Sequence, residues 1–185
     1  MSTKANQQES DIAHIMHVRP WLKGTDYEDI TERMIRGGGL QRSTLVEIAV
    51  AKVGGYDLLQ EDSYDNSDGS DTKSVTVRKR SSGQTYSAKI SDISNKTGLL
   101  RVQVWEPCTD KFYYFAIPHE VHSIAKNDLE IPFKRTCEPH RNSKNSKIDL
   151  WKYQCNTFEE MCCTNNDGTR PCIDIATFDN LFEIV

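Results

Sequence analysis

Asp71-Thr72-Lys73 is the triplet in this chain whose side chains most readily suggest chemistry. It opens a β-branched, alternating segment, and residues two apart on a strand point to one face, so an acid and an ammonium would stand side by side. Six acids (Asp57, Glu61, Asp62, Asp65, Asp68 and Asp71) crowd together here with no base among them. Like charges at that density repel unless water solvates them or a cation gathers them. A hard divalent cation held by carboxylates can make a water nucleophilic and hold the charge that builds on a phosphate. A neighbouring lysine can orient that water and stabilise the same charge. The chemistry implied is metal-dependent phosphodiester hydrolysis.

The elements that must position these groups are legible in part. Thr44 and Glu47 form a capping box before a helix that is nearly apolar all round (Leu45, Val46, Ile48, Ala49, Val50, Ala51, Val53) and stops at Gly54-Gly55. Such a helix is expected to be buried against a sheet. Glu47 is its only acid, either a cap partner or a carboxylate held at the edge of the core, and the two are compatible. Tyr56–Glu61 reads as a short strand carrying Asp57, followed by a Ser/Asp/Asn/Gly turn. Lys73, Val75 and Val77 share one face of the next strand; Tyr86, Ala88 and Ile90, then Leu100, Val102 and Val104, repeat the alternation. An aromatic strand, Phe112–Ile117, ends at Pro118, and Asn95-Lys96-Thr97-Gly98 is a tight turn. Upstream, Thr25 and Glu28 cap a helix over 26–36 that Gly37-Gly38-Gly39 ends, and residues 1–24 are a loose arm. His119–Lys126 reads as a short helix, with His119 capping a turn rather than serving a histidine-based nuclease.

In the order acid-bearing helix (Glu47), first strand acid (Asp57), then Ser70-Asp71-Thr72-Lys73-Ser74-Val75 opening a central strand, the chain resembles the PD-(D/E)xK nuclease superfamily, especially type II restriction endonucleases of the Asp-x-Lys kind. The resemblance covers roughly residues 40–118. It implies an α/β fold with a central mixed sheet flanked by helices. It also implies an endonuclease that hydrolyses DNA with Mg²⁺, or Mn²⁺ in its place. Asp57 and Asp71 would hold the cation, Lys73 would act on the attacking water, and Glu47 would be an auxiliary acid. No Pro precedes Asp57, so Asp62, Asp65 and Asp68 compete with it for the first ligand position. A homodimer is expected if both strands of a palindrome are cut.

Arg78, Lys79, Arg80, Lys89 and Lys96 are the expected phosphate contacts beside this centre, joined by the basic segment holding Lys134, Arg135, Arg141, Lys144, Lys147 and Lys152, with Trp151, Tyr153 and Phe158 interleaved. If the acids are inert, the same bases describe a binding module for nucleic acid or protein that does not cut. The acidic stretch would then be a solvated turn or, through its D-x-N-x-x-D-G pattern, a calcium loop lacking the final Glu and flanking helices of an EF-hand.

The 185 residues suit one domain, with residues 127–185 a basic, cysteine-containing extension. Net charge is −4, but without the acidic loop the remainder is slightly positive. No apolar run approaches a membrane span, and the polar amino terminus lacks the pattern of a signal peptide, so a cytoplasmic protein with reduced thiols is expected. Cys137 and His140, with Cys155 and Cys162 or Cys163, sketch a zinc knuckle. The absence of any Cys-x-x-Cys pair argues against it.

Overall fold

The computed structural model describes residues 41–59, 61–80, 85–143 and 148–170. The expected arm, the 26–36 helix, the triple glycine, Lys144, Lys147 and Cys172 lie outside them.

Helix α1 spans Gln41–Gly54, so it begins ahead of Thr44, which lies within the helix and not at its cap. Gly55 at φ +75° ends it in the left-handed conformation that glycine adopts without strain. After the loop 56–70 come β1 (Asp71–Lys79), β2 (Tyr86–Ile90), β3 (Leu100–Glu106) and β4 (Lys111–Ile117). Next are a single helical turn, α2 (His119–His122), and β5 (Leu129–Phe133). A 3₁₀ turn (Leu150–Tyr153), β6 (Gln154–Cys155) and α3 (Phe158–Cys163) complete the described chain. The expected strand at 56–61 is absent among the described residues of that stretch, where Leu58 makes a bridge to Asn66. Strand β5 alternates, with Leu129, Ile131 and Phe133 buried and Glu130 and Pro132 on the outward positions; the proline is tolerated because β5 is an edge strand.

The six strands form one mixed sheet in the order β5-β2-β1-β3-β4-β6. β1 runs parallel to β3, and the other pairings are antiparallel. Central β3 is buried on both faces. On one face Val46, Val50 and Val53 of α1 and Phe158, Met161 and Cys162 of α3 cover Leu99, Phe112, Tyr114 and Ala116. The other face gathers Val77, Ala88, Ile90, Leu100, Val102, Val104, Phe115, Ile117, Leu129, Ile131 and Phe133 around Trp151. Tyr113 of β4 meets Phe133 of β5 edge-on at 5.5 Å although three strands separate them in the sheet. The sheet therefore curls, and this second face is concave. No helix among the described residues is long and apolar enough to cross a membrane.

Candidate active site

β1 and β3 start at the same end of the sheet, with Asp71 beside Leu100 and Lys73 beside Val102. Leu100 and Val102 face the concave core, so Asp71 and Lys73 stand on that face too. Asp71 is only 3% exposed. Its Oδ2 lies 3.8 Å from Lys73 Nζ, and its Oδ1 lies 3.0 Å from Lys96 Nζ. The Lys96 side chain, 11% exposed, also donates to the Asp62 carbonyl at 2.8 Å, which locks it in place. Lys73, at 23%, keeps a path to solvent.

A second carboxylate joins them. Loop 56–70 turns back so that Asp65 Oδ2 accepts the Thr72 N–H at 2.9 Å, and its carboxyl comes within hydrogen-bonding reach of Asp71. Burial, then the neighbouring Asp71 charge, push Asp65 up to about 6 despite the Thr72 hydrogen bond. Two acids and two lysines thus converge where β1 begins. Paired carboxylate oxygens, one of them reluctant to ionise, are a donor set that suits a hard divalent cation.

Three of the seven expected centre residues meet here, Asp71, Lys73 and the alternative Asp65; Asp57, Glu47, Asp62 and Asp68 do not bring their carboxylates to it. Asp57 is exposed on the loop rim, where its N–H donates to Ser67 Oγ and its carbonyl accepts the Ser67 N–H. Glu47 lies on α1, which packs against the opposite, convex face of the sheet. Asp62 contributes its carbonyl rather than its carboxylate, and Asp68 pairs with Arg101 at 3.1 Å.

Arg101 carries no charge-binding signal in sequence because it sits inside an alternating strand. It is fully buried, and its guanidinium donates to Asp68, Ser70 Oγ, the Tyr56 hydroxyl (2.7 Å) and the carbonyls of Met161 (3.0 Å) and Thr164 (2.7 Å). Asn166 completes the brace: Oδ1 accepts the Leu99 N–H at 2.6 Å and Nδ2 donates to the Asp68 carbonyl at 2.8 Å. A β-carbon on Gly98 would strike the Gly69 carbonyl, so the loops before β1 and β3 touch backbone to backbone. His122, buried, takes its neutral form more readily and bonds the Gly98 carbonyl at 2.7 Å. It supports this loop, while His119 is exposed.

The expected phosphate contacts are dispersed. Arg78 and Lys79 are exposed but end β1, roughly 23 Å from Asp71 at strand rise. That places them at the far end of the sheet rather than beside the centre. Arg80 is committed to Ser87 and Glu130, and Lys89 to Asp128 at 3.6 Å. Lys96 is in the centre itself. Lys134 and Arg135 are exposed beyond β5, at the same end as Lys79, and Arg141 lies over the Trp151 ring at 4.6 Å.

The cysteines separate differently from the expected knuckle. Cys155 and Cys162 lie in the convex-face core, whereas Cys137 lies near Cys108 and Glu106. The Cys108 thiol's hydrogen bond, burial and the Glu106 charge push the Cys137 thiol up to about 12. Burial works against the Glu106 charge, yet hydrogen bonds from Thr109 and Cys108 outweigh it and lower that carboxyl below its usual range.

No family model, curated protein or solved structure compared with the chain matches it.

Proposed function

We propose that the concave end of the sheet is a metal-dependent nuclease centre of the Asp-x-Lys kind, hydrolysing DNA phosphodiesters. The single observation that carries this reading is the convergence of Asp65 and Asp71 with Lys73 3.8 Å from Asp71. Asp65 takes the position for which Asp57 was the first candidate, and the restriction-endonuclease-like fold is part of the same proposal. Mg²⁺ or Mn²⁺, when bound, would neutralise phosphate charge and lower the pKa of a coordinated water. Asp65 and Asp71 would hold it, with the Thr72 N–H fixing the orientation of Asp65. Lys96 keeps Asp71 aimed, and Lys73, nearer solvent, orients the attacking water and the phosphate. Cutting both strands of a duplex calls for a homodimer with one centre per strand.

One observation favours a second reading. Lys96 already balances Asp71, so the cluster can serve as an ionic brace in a protein that binds nucleic acid without cutting it. Supercoiled plasmid incubated with the protein and Mg²⁺, alongside Lys73→Ala, Asp65→Asn and Asp57→Asn, separates the two. The nuclease reading expects cutting abolished by chelation, lowered roughly 100-fold or more by the first two substitutions, and retained by the third. Absence of cutting with any divalent ion, with binding to DNA intact, supports the brace.

A further inference from the structure

Far from that centre, at the end of the sheet where β3 turns into β4, three ligand-bearing side chains meet without any role in the proposed hydrolysis. One oxygen of Glu106 and the sulfurs of Cys108 and Cys137 all lie within 4.8 Å of one another. In a tetrahedral zinc site with Zn–S bonds of ~2.3 Å, two sulfurs stand about 3.8 Å apart, so a small contraction closes the set. We infer that Glu106, Cys108 and Cys137 form a binding site for a zinc-class divalent cation, with a fourth position open to solvent.

Each ligand is held by different means. The Glu106 carboxylate accepts the N–H groups of Cys108 (2.6 Å) and Thr109 (2.8 Å) and the Thr109 hydroxyl. Such outer contacts fix the direction of a ligating carboxylate. Cys137 adopts φ +67°, a left-handed conformation rare for a side chain of its kind. The turn that imposes it is closed by Cys137 N–H to the Lys134 carbonyl and Lys134 N–H to the Glu138 carbonyl, both at 2.8 Å. That turn brings a buried sulfur against the β3–β4 connection. Cys108 is exposed, which leaves the site reachable and its fourth position open to water. Two thiolates and one carboxylate favour a borderline-soft ion over Mg²⁺ or Ca²⁺. Bound there, the cation would tie the β3–β4 turn to the turn presenting Lys134 and Arg135, fixing two exposed bases. The site stands whether or not the chain cuts DNA.

The test is titration of fully reduced, metal-free full-length protein with Zn²⁺ against a chromophoric chelator, with Co²⁺ absorption as the second readout. One tight equivalent per chain and a thiolate-to-cobalt charge-transfer band are expected. Both should be lost in Cys108→Ser, whose exposed position leaves folding intact, and in Cys137→Ser, and kept in Cys163→Ser. Thr109→Ala, which removes only the hydroxyl behind Glu106, should weaken binding roughly 10–100-fold. Absence of a tight equivalent, or one that survives Cys108→Ser, overturns the site. So does a Cys108–Cys137 disulfide whose reduced form takes up no Zn²⁺.

Discussion

At the scale of single residues, the centre is defined by how Asp65 and Asp71 share one small space. Between the ordinary aspartate value of ~3.9 and about 6, the folded chain binds more protons at Asp65 than the unfolded chain. Folding stability should therefore fall as pH rises through that window and level off above it. Asp65→Asn should flatten this slope, worth on the order of 1 kcal/mol once solvent screening is counted, as read from thermal melts between pH 4 and 7. Mg²⁺ should raise the melting temperature at pH 7 more than at pH 4.5, because protonation and metal compete for the same oxygens. A pH slope identical in the substituted protein would mean that burial and the Asp71 charge do not raise Asp65. The pairing of Asp71 with Lys73 was legible from the strand period alone. The choice of Asp65 among four nearby acids was not, since it depends on the Thr72 N–H and on where the loop returns.

Among the elements, the loops ahead of β1 and β3 matter most, and what holds them comes from far along the chain. Asn166 reaches the Leu99 N–H and the Asp68 carbonyl across the ends of two elements, and Arg101 binds the Met161 carbonyl of α3 and the Thr164 carbonyl just beyond it. No local pattern announces contacts of that span, whereas the alternation of β1 to β4 and the glycine stop of α1 follow from period and conformation. β5 follows the same alternation, with Pro132 inside it on an outward position, whereas the expected strand at 56–61 marks the limit of such patterns. Arg101→Leu should cost about 3–5 kcal/mol, since it strands Asp68 and two buried carbonyls. Asn166→Ala should cost about 1–3 kcal/mol. Denaturant unfolding checks both, and Asn166→Ala should also slow any Mg²⁺-dependent cutting by loosening the loop that carries Asp65. An Arg101 variant as stable as the parent would remove the brace from the account.

Across the whole molecule, the shared direction of β1 and β3 separates two ends with different chemistry. Acids and lysines lie where β1 starts; Arg78, Lys79, Lys134 and Arg135 lie where it finishes, near Glu106, Cys108 and Cys137. Composition could suggest bases for phosphate contact but not this separation, which exists only once strand directions are fixed. If DNA spans both ends, Arg78→Ala with Lys79→Ala should weaken binding and reduce the slope of log affinity against log salt by about 2, with the cutting step unchanged. An unchanged salt slope would take these two residues out of the interface. The most direct test of the centre itself is a crystal soaked in Mn²⁺ and measured for anomalous scattering. The account predicts a peak at the Asp65 and Asp71 carboxylates. A peak at other residues, or no peak while Lys96 stays on Asp71, would contradict it.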